Sequence, residues 1–219
     1  MEKIFAVIAA YNEQEHIKKV VEKTKKYVNE VIVVDDGSKD STKELAKDAG
    51  ATVLNHLVNL GKGAALKTGC DYALENGADL IITIDADMQH NPNDIPRFLD
   101  SLKECEVALS YRQYSKAMPL ILKFGNRFIN KTIKFLYGLE IKDSQCGYRA
   151  FTSNAYRKLR WKASDYSIES EMIAKIGKYK LSYTEIPIET VYSDKYKGTT
   201  IIDGIKIVLN LLFWRLNNL

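Results

Sequence analysis

The central segment of the sequence is Leu80-Ile81-Ile82-Thr83-Ile84-Asp85-Ala86-Asp87-Met88-Gln89-His90. Its first five residues are apolar or β-branched, which predicts a buried strand, and Asn91 and Pro92 end that strand. In an open α/β sheet, ligands bind beyond the carboxyl ends of the strands. Two carboxylates and an amide oxygen at such an end suit Mg²⁺ or Mn²⁺. The alternative is that Asp85 and Asp87 only cap the following helix.

Composition indicates an ordinary globular protein, with 46% hydrophobic and 27% charged residues among 219. We expect one domain over residues 1–219. The net charge of +4 is too small to indicate nucleic-acid binding. Cys70, Cys105 and Cys146 are odd in number and lack metal-ligand spacing, so we expect reduced thiols in a cytoplasmic protein. The sequence has no signal peptide and no uninterrupted apolar stretch of about 20 residues, so we expect no membrane span.

The pattern around the central segment predicts an α/β fold. Apolar runs at 4–10, 31–34, 52–54 and 80–84 alternate with segments of helical periodicity. Such alternation is typical of a mostly parallel central sheet flanked by helices. Continuous rather than alternating apolar strands indicate that both faces of the sheet are covered. Further along, we expect a strand at 106–110, a helix at 165–178 and an edge strand at 181–191.

Polar residues follow three of the predicted strands, and they should converge at one edge of the sheet. These are Tyr11-Asn12-Glu13, Asp35-Asp36, and Asp85 with Asp87. Each group alone could be a helix cap or a turn. Several acids crowded together are costly unless a cation joins them, which favours a metal site. The turn Gly61-Lys62-Gly63 could offer backbone N–H groups and an ammonium to a phosphate.

The ordered motifs resemble those of family 2 glycosyltransferases of the GT-A fold, of the dolichol- or polyprenyl-phosphate hexose synthase type. The matching segments are 7–13, 33–42, 59–66, 85–92 and 143–149. Two departures stand out. Ala9 occupies a position where the family usually has proline. The usual late Gly-x-Ser-Lys is replaced by Gly198-Thr199-Thr200-Ile201, so the role of that loop does not carry over.

The resemblance implies a nucleotide-sugar donor and Mg²⁺ or Mn²⁺ as cofactor. By resemblance, the nucleotide-binding residues are Ala9, Tyr11, Glu13, Asp36, Lys62 and Asp85. The implied metal ligands are Asp85, Asp87 and Gln89. The metal would neutralise the leaving nucleoside diphosphate.

A basic segment, at about 112–137, contains no acidic residue. Its cations are Arg112, Lys116, Lys123, Arg127, Lys131 and Lys134. The last four share one helix face, and large apolar residues lie between them. This is a basic amphipathic pattern of the kind that lies at a membrane interface, although an ordinary packed helix has the same spacing. A second amphipathic helix is expected at about 200–216.

We therefore expect an inverting glycosyltransferase that moves a hexose from a UDP- or GDP-sugar to a polyprenyl or dolichyl phosphate. Asp87, Arg112 and Arg127 are the catalytic candidates. Asp87 would act through the metal at the donor, and the two arginines would bind the acceptor phosphate, because guanidinium groups match phosphate geometry. We expect the chain either to lie peripherally at the cytoplasmic face of a membrane or to use a membrane-anchoring partner protein. One alternative is transfer to a saccharide hydroxyl, with Asp143, Glu169 or Glu171 as general base. A non-catalytic nucleotide-binding module is the other.

Overall fold

The computed structural model describes residues 2–112, 120–189 and 201–217, with the side chains of 120–124 and 201–203 left out. In chain order the elements are β1 (Ile4–Ala10), α1 (Ile17–Thr24), β2 (Glu30–Asp35), α2 (Thr42–Asp48), β3 (Thr52–Asn55), α3 (Lys62–Glu75), β4 (Leu80–Thr83), a 3-10 turn (Pro92–Asp94), α4 (Ile95–Ser101), β5 (Val107–Arg112), α5 (Leu120–Tyr137), β6 (Arg149–Thr152), α6 (Ser153–Leu159), α7 (Ile168–Tyr179), β7 (Tyr183–Ile188) and α8 (Ile201–Leu216).

The seven strands form one sheet in the order β3-β2-β1-β4-β6-β5-β7. β1 pairs in parallel with β2 and β4, and β2 pairs in parallel with β3. β6 runs antiparallel to both of its neighbours, β4 and β5. The predicted α/β class with a mostly parallel sheet is confirmed. The sequence did not predict β6, because its four residues, Arg-Ala-Phe-Thr, have neither the length nor the apolar run of a buried strand.

Helices cover both faces of the sheet, as the continuous apolar strands predicted. One face packs against α3, α5, α7 and α8 through residues such as Leu66, Ile133, Ile173 and Leu211. The other face packs against α1, α2 and α4 through Val20, Ala46 and Phe98. Successive residues of β1 alternate between the two layers, as strand geometry requires.

The predicted edge strand is confirmed as β7, which ends the sheet beside β5. Val191, which the prediction included, lies outside the described residues, as do Lys116 and the loop 198–200. All three cysteines are free thiols. Within the described ranges, no helix has both the length and the apolar character needed to cross a bilayer.

Candidate active site

The carboxyl ends of β1, β2 and β4 lie side by side, because these three strands are adjacent and parallel. The turn 11–13 follows β1, Asp36 follows β2, and Asp85 lies just beyond β4. Two of these turns are directly linked, since the Asn12 side chain accepts a hydrogen bond from the Lys39 backbone N–H at 2.9 Å. The structure therefore brings the predicted polar groups to one edge of the sheet.

A partly buried ion cluster occupies this edge. The Nζ atom of Lys62, at the start of α3, lies 2.8 Å from Oδ1 of Asp85 and 3.1 Å from Oε1 of Glu169 on α7. Burial alone would raise the pKa of Asp85, but the Lys62 ammonium and the nearby His90 outweigh it and lower that pKa to about 2. Asp85 is therefore ionised at neutral pH, and its side chain keeps 29% exposure.

His90 and Gly147 complete the wall of this cluster. The imidazole of His90 is buried, and its Nδ1 lies 3.5 Å from Oδ2 of Asp85. Its ring stacks on Tyr148 at 5.1 Å between centroids. A Cβ atom added at Gly147 would lie 2.7 Å from Nζ of Lys62 and 3.3 Å from a carboxylate oxygen of both Asp85 and Glu169. Only glycine fits there without moving the cluster.

The turn after Asp85 holds the other predicted metal ligands. Oδ1 of Asp87 accepts a hydrogen bond from the Gln89 backbone N–H at 3.0 Å. Met88 between them has φ of +63°, a left-handed conformation that is uncommon for methionine and occurs most often at functional sites. Both Asp87 and Gln89 are partly exposed, so their side chains are accessible to an ion.

The donor chemistry of this turn fits Mg²⁺ or Mn²⁺. Its two carboxylates and one amide offer hard oxygen ligands, which these ions prefer. No group of three or more His, Cys, Asp or Glu residues within the described ranges could hold a metal ion. An ion held by two carboxylates usually takes its remaining ligands from water and substrate phosphates. The residues at this edge therefore match an ion bound together with a phosphate-bearing ligand.

Asp36 is held by groups of this chain. Its side chain is 4% exposed, Oδ1 lies 2.7 Å from Nδ1 of His56, and its two oxygens accept hydrogen bonds from the backbone N–H groups of Leu60 and Gly61. This carboxylate therefore fixes the loop between β3 and α3. The contact of Asp36 with a nucleoside stays a prediction, as do those of Ala9, Tyr11 and Glu13. Of these residues, Tyr11 is the most open, at 42% exposure.

The start of α3 differs from the phosphate-binding turn that the glycines suggested. The Ser164 carbonyl accepts hydrogen bonds from the backbone N–H groups of Gly63 at 2.8 Å and Ala64 at 3.3 Å. Trp161 donates through Nε1 to the Gly63 carbonyl at 2.8 Å. The N–H groups of Gly63 and Ala64 are therefore already paired within the chain, and phosphate binding by the turn 61–63 stays a prediction. The Lys62 ammonium is paired with Asp85 and Glu169, and its contact with a phosphate stays a prediction.

The three candidate general bases have different surroundings. Asp143 accepts hydrogen bonds from Nε and Nη2 of Arg112, at 2.6 and 3.0 Å, and from the Asn126 amide at 3.0 Å. Glu171 accepts from the backbone N–H groups of Lys162 and Ala163 and pairs with Lys175. Glu169 alone of the three lies beside Asp85, through Lys62. Arg112 is thus paired within the protein, and Arg127 is exposed on α5.

An exposed apolar surface lies on the two amphipathic helices. α5 and α8 contact each other, and the Tyr137 hydroxyl donates to the Leu211 carbonyl at 2.8 Å. We define the α5–α8 surface by its exposed apolar side chains and the exposed cations among them. The apolar members are Phe128, Phe135, Ile205, Leu209, Leu212, Phe213 and Leu216. The cations are Arg127, Lys131, Lys134, Lys206 and Arg215.

The connections around Glu169 were not predicted from the sequence. Arg149 is buried and donates to the carbonyls of Cys146, Ser144 and Glu169, which fixes the Gly147 segment against the start of α7. Gly147 and Arg149 were present in a matching segment, but no spacing rule connects that segment to α7. Only the fold brings them together.

Comparison with known proteins identifies relatives of this chain. Residues 5–160 match the family model described as "Glycosyl transferase family 2". A UDP-N-acetylglucosamine–dolichyl-phosphate N-acetylglucosaminyltransferase of Methanococcus voltae is 34% identical over 97% of this chain and 96% of its own length. An undecaprenyl-phosphate mannosyltransferase of Micrococcus luteus is 26% identical over 98% of this chain and 94% of its own length.

The fold also matches solved structures. Glucosyl-3-phosphoglycerate synthase from Mycobacterium tuberculosis, solved in complex with Mg²⁺ and UDP, superimposes with a TM-score of 0.80 at 19% identity. The match covers 99% of this chain and 80% of that chain. At this identity the likeness shows a common fold.

Proposed function

The chain belongs to glycosyl transferase family 2 and has the GT-A fold, and from this we propose that it transfers a hexose from a nucleotide sugar to a polyprenyl phosphate. The observation that carries the proposal is the edge of the sheet where Asp85 pairs with Lys62 and the turn with Asp87 follows. The two relatives support the acceptor, since one is named for transfer to dolichyl phosphate and the other to undecaprenyl phosphate.

For the donor, we favour a UDP-sugar over a GDP-sugar. The Methanococcus voltae relative is named for UDP-N-acetylglucosamine, and the Mycobacterium tuberculosis structure contains UDP. The names of the two relatives differ in the sugar, N-acetylglucosamine in one and mannose in the other. Membership of the family therefore does not fix the hexose, and the residues around it in this chain must do so.

At the donor diphosphate, Asp85, Asp87 and Gln89 would hold Mg²⁺ or Mn²⁺. When bound, the ion would act as a Lewis acid and balance the charge of the leaving nucleoside diphosphate. Lys62 would add a positive charge beside Asp85. Tyr11, Glu13 and the loop that Asp36 holds would surround the nucleoside.

The proposed nucleophile is a phosphate oxygen of the acceptor. A phosphate monoester has a second pKa of about 6, so at neutral pH it is largely a dianion. A strong general base is therefore less necessary than for a sugar hydroxyl, and the protein mainly has to position two anions and balance their charge. The oxygen attacks the anomeric carbon as the bond to the diphosphate breaks, which inverts that carbon. We propose Arg127, and Arg112 at the end of β5, as the groups that attract this phosphate.

The acceptor lipid is proposed to be reached from the membrane surface. The α5–α8 surface combines exposed apolar side chains with cations, and the sequence of α5 contains no acidic residue. Such surfaces bind the interface of anionic bilayers, where each basic residue contributes about 1 kcal/mol. We propose peripheral binding to an anionic bilayer as the role of this surface.

The proposal is tested by replacing Asp87 with alanine. We expect transfer from UDP-N-acetylglucosamine, UDP-glucose or GDP-mannose to a short-chain polyprenyl phosphate to fall at least about 100-fold, because a ligand of the charge-balancing ion is lost. Asp100→Ala is the matched control, since that carboxylate is 74% exposed and pairs only with Lys103 in the described structure. Near-normal turnover by the Asp87 variant, or no transfer by the wild type from any of these donors, would contradict the proposal.

A further inference from the structure

Two glutamates on the first turn of α7 differ in how their oxygens are used. Both carboxylate oxygens of Glu171 accept backbone hydrogen bonds from the segment 162–163. In Glu169, Oε1 lies 3.1 Å from Nζ of Lys62, whereas Oε2 is buried and has no hydrogen-bond partner in the described part of the chain. The side chain of Glu169 is only 6% exposed.

A buried carboxylate oxygen without a donor costs free energy, so an unsatisfied oxygen needs an explanation. Movement of the side chain does not explain the unsatisfied oxygen, because Glu169 is held by contacts at its backbone and its carboxylate. Its backbone carbonyl accepts from the buried guanidinium of Arg149 at 2.8 Å, and its Oε1 is held by Lys62 at 3.1 Å. The oxygen is therefore held in place beside Lys62 and Asp85, where the proposed donor binds.

The chemistry of the missing partner follows from the charge of this oxygen. A carboxylate oxygen binds either a cation or a hydrogen-bond donor, and Glu169 already has a cation, Lys62, at Oε1, so we expect a donor at Oε2. A phosphate oxygen is itself an anionic acceptor and does not qualify. A sugar hydroxyl donates, is uncharged, and is attached to the diphosphate that Asp85 and Lys62 would face.

We propose that Oε2 of Glu169 accepts a hydrogen bond from a hydroxyl group of the transferred sugar, and that Lys62 positions Glu169 for this contact. The proposal rests on the proposed function, because it takes the donor to be a nucleotide sugar. A site built to bind a hydroxyl discriminates strongly against analogues that lack it. Glu169 is thus a specificity-determining residue for the hexose, which membership of the family leaves open.

The test compares Glu169→Gln with the wild type by calorimetry in the presence of Mn²⁺. The probes are UDP-N-acetylglucosamine, UDP-glucose and GDP-mannose, together with UDP and GDP. The comparison uses the nucleotide sugar that the wild type binds most tightly. For that sugar, we expect the Kd of the variant to rise at least about 10-fold, since a hydrogen bond to a charged group is lost. The Kd for the matching nucleoside diphosphate should stay within about twofold, because Lys62 keeps its contact with Asp85.

Glu171→Gln is the matched control, and it should leave the ratio of the two Kd values unchanged even if it lowers the melting temperature. A nucleotide-sugar analogue that lacks the contacted hydroxyl should bind both proteins equally. If Glu169→Gln weakens the nucleoside diphosphate as much as the nucleotide sugar, Glu169 acts on the metal or diphosphate and the proposal is overturned. Unchanged binding of both ligands also overturns it. If the wild type binds no nucleotide sugar, the proposed function fails first.

Discussion

Arg112 and Asp143 form the most completely hydrogen-bonded ion pair at the candidate site. Nε and Nη2 of the arginine both donate to the carboxylate, and Asp143 is 4% exposed. Burial alone would raise the pKa of Asp143, but Arg112 outweighs it and holds that pKa below its ordinary value of 3.8. The arginine proposed for the acceptor phosphate therefore has a structural partner as well.

We expect Arg112→Ala to lower the free energy of unfolding by about 3 kcal/mol, because it leaves a buried carboxylate without its cation. Urea unfolding at pH 7 measures this. Arg127→Ala is the control, since an exposed arginine should change stability by less than about 0.5 kcal/mol. Replacing Asp143 by Asn in the Arg112→Ala protein should recover part of the loss. Equal stability of wild type and Arg112→Ala would show that the pair does not support the fold.

The contribution of the Arg112–Asp143 pair to the free energy of unfolding should depend on pH. The folded-state pKa of Asp143 is lowered, so its contribution is present above pH 3.8 and is lost as the pH falls through the lowered value. Without Arg112, burial raises this pKa, and the folded variant then prefers the protonated acid. The stability difference between wild type and Arg112→Ala should therefore shrink as the pH falls from 7 towards 3. A difference that is constant over this range would contradict the assignment.

For individual residues, the sequence predicted the site carboxylates that directly follow a strand. It did not predict their ion-pair partners on distant elements. Asp85 and Asp87 were predicted together because a strand end places them locally. The link from Asp85 through Lys62 to Glu169 depends on how α3 and α7 pack against the sheet, which no local pattern specifies. The family resemblance assigned Asp36 to nucleoside binding. Its hydrogen bonds to the loop 56–61 were visible only in three dimensions.

Among the elements, α5 and α8 have outer faces that no other part of the described structure covers. The sequence drew attention to α5 through its cations, whereas the longer apolar stripe lies on α8. Its exposed members are Ile205, Leu209, Leu212, Phe213 and Leu216, spaced along one helix face. Their neighbours Ile207 and Leu211 are buried against the domain, so α8 has two apolar faces and packs only one of them within the described structure.

Replacing Leu209 and Phe213 together by serine should weaken binding to vesicles that contain phosphatidylglycerol at least about 10-fold, because apolar area no longer leaves water on docking. Both side chains are about 60% exposed, so the melting temperature should hardly change. Leu57→Ser is the control, since Leu57 is 95% exposed in the loop between β3 and α3. Wild-type protein that does not cosediment with these vesicles at low salt would contradict the membrane role.

Strand and helix positions were predicted well in the first half of the chain, because β1 to β4 are apolar runs separated by turn residues. The second half was predicted less completely. β6 combines a buried arginine with three residues of mixed character, and it is stabilised by pairing with β4 and β5 rather than by its own pattern. Reversal of one strand within a parallel sheet depends on these long-range pairings, which periodicity does not report.

For the whole molecule, the site joins distant parts of the chain, so a donor should stabilise the entire fold. At a concentration of 100 times its Kd, a ligand adds about 2.7 kcal/mol, which corresponds to roughly 5–10 °C in melting temperature for a domain of this size. We expect this shift for UDP with Mn²⁺. EDTA should remove most of it, because the cation balances the charges of Asp85, Asp87 and the diphosphate. A full shift in EDTA would contradict metal-assisted donor binding.

The Ser164 carbonyl, which accepts hydrogen bonds from two N–H groups at the start of α3, affects how a diphosphate and a cation would bind at this site. It occupies the amides of Gly63 and Ala64, so the partial positive charge of that helix end is not available to a diphosphate. A diphosphate bound here would lie near the carboxylates of Asp85 and Asp87 as well as the Lys62 ammonium, and a divalent cation would balance the added negative charge. Metal and donor would therefore bind with positive cooperativity, each raising the affinity for the other by the same factor.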